Sequence, residues 1–178
     1  MTDIAARARE FARAAHDGQT RKGAAQEPYF VHLEEVAAFT EAHGGSAVAI
    51  AAAWLHDTVE DCAVTAEEIA AHFGPAVAGV VAELTDDKSL PKPERKRLQL
   101  ANAPRRSPEA ALVKIGDKVS NVRAIGVSPP AHWDVGRCHA YVDWAETVVA
   151  GLSGDHASAR AAFAAVAAAT RAILADRA

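Results

Sequence analysis

The sequence predicts an all-α protein, a single-domain helical bundle of roughly eight to ten helices over 1–178. Apolar residues recur at three- and four-residue spacing along most of the chain, and no stretch alternates as a strand would. Serine, threonine and proline stand where helices should begin. Alanine, the strongest helix former, supplies much of an apolar share of 50%.

Ile4, Ala8, Phe11 and Ala15 make the first helical stripe, which ends near Asp17-Gly18. Gln19 to Glu27 is polar, basic and turn-like. Pro28 opens a second helix with His32, Val36 and Phe39 along one side, closed by Gly44-Gly45. Ser46 caps a third, Ala47 to Leu55, which has nothing polar to hydrogen-bond and reads as buried on most sides. Thr65-Ala66-Glu67-Glu68 is a capping box for a short helix that stops at Gly74, and Pro75 opens the next. Pro91 and Pro93 precede a basic helix, Glu94 to Asn102, whose Arg95-Lys96-Arg97 run reads as an exposed face. Ser107-Pro108-Glu109 starts a helix covering Ala110 to Ile125. Pro129-Pro130 separates it from one running from about Trp133 to Leu152, and the last helix carries Phe163, Val166, Thr170 and Ile173 on one face.

Composition narrows the class of function. A net charge of −4 argues against a general nucleic-acid or membrane-surface binder. Cys62 and Cys138 stand far apart without ligand-like spacing, which fits a reducing cytoplasm. Met1 to Glu10 does not read as a leader, and the apolar runs read as too short to cross a bilayer. The expectation is a soluble cytoplasmic protein, monomeric or a small homo-oligomer.

The buried third helix runs straight into His56-Asp57-Thr58-Val59-Glu60-Asp61, four groups able to bind metal or move protons within six residues. Like charges leaving a core are costly unless a cation or hydrogen-bond partner offsets them. A divalent metal is the simplest offset, with His32 and Asp117 as its candidate remaining ligands. Asp117 and Asn121 are four apart and share a helix face; His56 with Glu60, and Asp57 with Asp61, would do the same if the helix continues. Two imidazoles and two carboxylates favour Mn²⁺, Fe²⁺ or another first-row ion, Mn²⁺ being preferred over Mg²⁺. The other six histidines, and Trp54, Trp133 and Trp144, read as packing or surface residues.

His32, His56-Asp57 and Asp117 together resemble the HD superfamily of metal-dependent phosphohydrolases. Arg21-Lys22, Pro28-Tyr29, the His56 to Asp61 run, Thr85-Asp86-Asp87-Lys88 and Lys118-Val119-Ser120-Asn121-Val122-Arg123 resemble the hydrolase domain of RelA/SpoT proteins. The likeness to the stand-alone small alarmone hydrolases runs on through Tyr141 and Trp144. It implies an all-helical HD-type domain holding one Mn²⁺ and removing the 3′-diphosphate of guanosine tetra- or pentaphosphate. It implies His32, His56, Asp57 and Asp117 as metal ligands and Glu60 and Asp61 as the acidic pair handling the attacking water. Arg21, Lys22, Lys88, Asn121, Arg137 and Tyr141 are the implied substrate contacts. A phosphatase on another ribose-phosphate nucleotide such as NADPH, or a silent nucleotide sensor, is the alternative. The chain departs from the resemblance at Leu33, where many relatives have proline, at Gly116, where alanine is usual, and at Ala124, which lacks a polar side chain.

Overall fold

The structure, a computed structural model, describes residues 3–177; Met1 and Thr2, which begin the stretch read for a leader, and Ala178 lie outside the described residues. Ten α-helices and one short 3-10 turn, Ala103–Arg105, make up the described residues, which contain no strand beyond an isolated bridge between Thr20 and Pro28. In chain order the helices are α1 (Ile4–Ala15), α2 (Tyr29–Ala42), α3 (Ala47–Leu55), α4 (Thr58–Asp61) and α5 (Ala66–Phe73). There follow α6 (Pro75–Leu84), α7 (Lys92–Asn102), α8 (Pro108–Val127), α9 (Val135–Gly151) and α10 (Ala157–Ala175).

Two helices organise the rest. α3 is apolar on nearly every side, and accordingly α1, α2, α6 and α8 all pack on it. Ser46 starts it by accepting the Ala49 N–H at 3.2 Å. α8 divides its faces between two apolar clusters. Ala110 and Val113 join the α1–α3, α5 and α6 side, whereas Ala111, Leu112, Ile115, Val119 and Val122 join the α9–α10 side. Gly116 explains one departure noted in the sequence. A Cβ there would stand 3.0 Å from Phe39 Cδ1, so its absence lets α2 and α8 approach, at a cost of about 1 kcal/mol in helix propensity. That approach sets His32 on α2 against Asp117 and Ser120 on α8.

The expected punctuation is present, including the Thr65–Glu68 capping box. The third helix ends at Leu55, as read, and His56-Asp57 turn the chain into the separate α4, so the condition for His56 and Glu60 to share its face is not met. Three expectations are corrected. The Arg95-Lys96-Arg97 run is not one exposed face. Arg95 is half-buried against Glu60 and Lys96 lies over the Trp144 ring at 4.3 Å, leaving only Arg97 exposed. On α10 the buried face is Ala159, Phe163, Ala167, Thr170 and Leu174, whereas Ile173 is 39% exposed. Alanine fills much of this helix, so the pattern discriminates poorly between adjacent faces. The same alanines make α10, at 19 residues, long and apolar enough by composition for a bilayer, against the expectation. It packs instead on α8 and α9, with Arg171 paired to Asp143 and Glu146.

The loop carrying Arg21 and Lys22 is tied down at the end of α8. Ser128 Oγ accepts the Ala25 N–H at 2.9 Å, and a Cβ at Gly23 would collide with the Ser128 carbonyl. Gly23→Ala is therefore expected to destabilise the fold by about 1–3 kcal/mol, read as a lowered Tm.

Candidate active site

Three segments deliver polar atoms to one buried point. His32 Nε2 lies 3.3 Å from His56 Nε2 and 3.5 Å from Asp57 Oδ2, and His56 Nε2 lies 3.1 Å from the same carboxylate oxygen. These three residues form a group able to hold a metal ion. Asp117 stands at its edge, Oδ1 3.7 Å from His32 Nε2. Two ligands each about 2.1 Å from one ion stand about 3.0 Å apart at a right angle and about 3.4 Å at the tetrahedral angle, so the spacing suits a shared cation.

Hydrogen bonding on the far side of each ring sets the tautomers. His56 Nδ1 is 2.8 Å from the Ala53 carbonyl, which only accepts, so Nδ1 carries the hydrogen and Nε2 a lone pair. His32 Nδ1 is 2.8 Å from Ser120 Oγ. Ser120 donates its hydroxyl to Glu35 at 2.5 Å and therefore accepts from His32, which leaves the His32 Nε2 lone pair facing that of His56. Two opposed lone pairs beside a carboxylate call for a positive charge between them. Burial works to lower the His56 imidazole, yet Asp57, Asp117 and the Ala53 carbonyl together outweigh it and the net shift is upward. For Asp57 burial works upward, and the two imidazoles still hold the carboxyl well below its ordinary range. The residues present fit a divalent first-row ion. Ser120→Ala removes the acceptor for His32 and is expected to weaken metal binding roughly 10- to 100-fold in a Mn²⁺ titration, with Thr restoring it.

Around this point sit groups suited to proton and phosphate chemistry. Glu60 is held by the Asp86 N–H at 3.2 Å and lies 3.5 Å from Arg95 Nη1. Burial and the Asp57 carboxylate push its carboxyl up. Asp61 pairs with Lys88. Tyr29 donates to Asp57 Oδ2 at 2.5 Å, and burial, reinforced by Asp57, keeps the phenol protonated. Asp117 accepts from Asn121 at 2.5 Å and from Lys118 at 3.1 Å. Beside the cluster a cavity of about 250 Å³ is lined by Arg21, Lys22, Asn121, Trp133 and Tyr141. Cations crowd its rim: burial pulls Lys92 down, and Lys22, Arg137 and Arg95 pull it further. Such a concentration of like charge attracts polyanions.

A family profile described as HD domain matches residues 8–142. The chain belongs to the HD-domain family. Over 151 residues it is 45% identical to the guanosine-3′,5′-bis(diphosphate) 3′-pyrophosphohydrolase MESH1 of Xenopus tropicalis, covering 84% of each chain. The human protein of the same name is 44% identical over the same length and the same shares. Among solved structures, a metazoan ortholog of SpoT that hydrolyses ppGpp superposes with a TM-score of 0.87 at 37% identity, over 93% of this chain and 94% of that one. A Listeria monocytogenes protein superposes with a TM-score of 0.67 at 25% identity, over 82% of this chain and 98% of that one.

Within this HD domain the residues singled out in the sequence fall into separate places. His32, His56 and Asp57 meet, with Asp117 beside them. Arg21, Lys22, Asn121 and Tyr141 share the cavity, and Arg137 lies 4.6 Å over the Trp133 ring on its wall. Lys88 points to Asp61 rather than into that cavity. Sequence reasoning gave no role to Glu35 and Ser120, each three residues beyond a candidate ligand on the same helix and so on its face. It also passed over Lys92 and Lys96, which α7 turns toward Trp133 and Trp144. Arg21 has a second attachment the sequence did not show: it donates to Ser120 Oγ at 3.1 Å and lies 3.4 Å from Glu35.

Proposed function

We propose that this chain is a single HD-type domain over 1–178 that removes the 3′-diphosphate of guanosine tetra- or pentaphosphate, giving GDP or GTP and pyrophosphate. The reading is carried by the meeting of His32, His56 and Asp57 in a chain whose relatives at 41–45% identity are named for this reaction. His32, His56, Asp57 and Asp117 hold one divalent ion, Mn²⁺ in preference because the donors mix imidazole nitrogen with carboxylate oxygen. The ion supplies Lewis acidity toward water and the scissile phosphoryl group.

The other roles belong to the chain. Water adds to the phosphorus on the ribose 3′ oxygen, the P–O3′ bond breaks, and the 3′ oxygen gains a proton. Glu60 takes the proton of the attacking water on a carboxylate oxygen, a role its raised carboxyl suits. Asp61, paired with Lys88, orients the water. Lys22, Lys88, Lys92 and Arg137 offset the negative charge gathering on the departing diphosphate. Arg21, Asn121 and Tyr141 hold the nucleoside in the adjacent cavity. The protein works in the cytoplasm on a small nucleotide, as a monomer or small homo-oligomer.

Products distinguish this reading from its alternatives. With Mn²⁺ and guanosine tetraphosphate the expected product is pyrophosphate. Inorganic phosphate from NADPH at a higher kcat/KM would move the assignment to a phosphatase, and tight binding without turnover would make the chain a sensor. Arg21→Ala is expected to raise KM for the tetraphosphate. Because Arg21 also braces Ser120, it should lower Mn²⁺ affinity too, as measured by titration without substrate.

A further inference from the structure

A second cavity, of about 360 Å³, is bordered by α6, α7 and the Ala103–Arg105 turn. Its lining contains none of the candidate metal ligands and shares no residue with the Arg21–Tyr141 cavity. It is distinguished by unused donors. Arg106 is only 9% exposed, and among the described residues its guanidinium has no hydrogen bond or ion pair, although its backbone carbonyl is held by Ser153. Arg95 Nε is also buried without a partner, and Arg105 uses a single nitrogen on the end of α7, on Ala101 O and Asn102 Oδ1.

The carboxylates in the same lining are engaged. Glu83 accepts the Ser107 N–H at 2.7 Å, Asp86 accepts from Gln99 at 2.5 Å, and the exposed Asp87 accepts the Ser89 N–H at 2.9 Å. Each is bonded through one oxygen, and among the buried acceptors of this lining Gln99 Oε1 is unpartnered. Asp86 and Glu83 offset the Arg106 charge at longer range but give it no hydrogen bond. A buried guanidinium whose N–H groups lack acceptors is costly, and its planar fork matches two oxygens of an oxyanion. Gln99 Oε1 would meet the single hydroxyl of a hydrogen phosphate.

We propose that this cavity binds a phosphate-class oxyanion, held by Arg106 and Arg95 and capped by Gln99. The ligand is inorganic phosphate or the terminal group of pyrophosphate. Arg95 also reaches Glu60, so the bound anion sits one side chain away from the proposed base. The site stands on its own geometry and does not depend on the hydrolase reading.

Calorimetric titration with inorganic phosphate, and separately with pyrophosphate, tests it without any turnover. Wild-type protein should bind at least one of the two, the tighter being the occupant. Because pyrophosphate is also the proposed product, the titrations are made in a Lys22→Ala background that weakens binding in the other cavity; there Arg106→Ala should weaken the remaining binding about tenfold or more. Equal binding with and without Arg106→Ala in that background, or no remaining binding in Lys22→Ala, overturns the proposal. If Arg106→Ala does not fold, tungstate soaked into wild-type crystals decides: a heavy-atom peak beside Arg106 supports the site, and its absence removes it.

Discussion

His56→Ala is expected to reduce kcat/KM for guanosine tetraphosphate by roughly 10³-fold or more, the scale of a lost metal centre. His56 is 1% exposed, its Nδ1 is committed to Ala53, and its Nε2 lies within 3.3 Å of His32 and of Asp57. Only His32 offers a second neutral nitrogen to the same point, so the variant halves the imidazole ligands. The fold should survive, because α3 is anchored by its own apolar faces rather than by the imidazole. The informative comparison is thermal. Mn²⁺ should raise the Tm of the wild type by preferential binding to the native state, and should leave the Tm of His56→Ala where it was. A variant that still shows the Mn²⁺-induced rise places the metal elsewhere.

Glu60→Gln is expected to lower kcat by about 10²–10⁴-fold with KM little changed, the range for a lost general base. The amide keeps the size and can keep the Asp86 N–H bond, but it cannot accept a proton. The pH profile adds a second reading. Glu60 is raised above the ordinary glutamate value of 4.5, first by burial and then by the Asp57 carboxylate. A base must be ionised to act, so activity is present above its raised pKa and falls as pH drops through it. The acid limb of wild-type kcat should therefore lie above pH 4.5. Persistence of that limb in Glu60→Gln would transfer the role to Asp61.

Much of the architecture was legible because the chain marks its helix starts. Ser46, Thr65 and Ser107 each accept a backbone N–H in the first turn they were read to cap. His56 and Asp57 were legible from the contrast between an apolar helix and the charged segment it runs into, and His32 only through its company with them and Asp117. What escaped was geometry that depends on how helices cross. The break at His56-Asp57 leaves no turn residue to announce it. Glu35 and Ser120 are ordinary polar residues until α2 and α8 approach at Gly116 and join them at 2.5 Å. α7 looked like a solvated basic helix, since a lysine over an indole and one in water have the same sequence. On α10 Phe163, Val166 and Thr170 were placed on the packed face and Ile173 was not, for the same reason that the helix resembles a membrane span: alanine carries little directional information.

Anomalous diffraction from crystals grown with Mn²⁺ tests the metal centre most directly. One manganese peak is predicted, within about 2.0–2.4 Å of His32 Nε2, His56 Nε2 and an oxygen of Asp57, with Asp117 completing the protein ligands. No peak between those side chains at saturating metal, or a peak bound elsewhere on the protein, would contradict it.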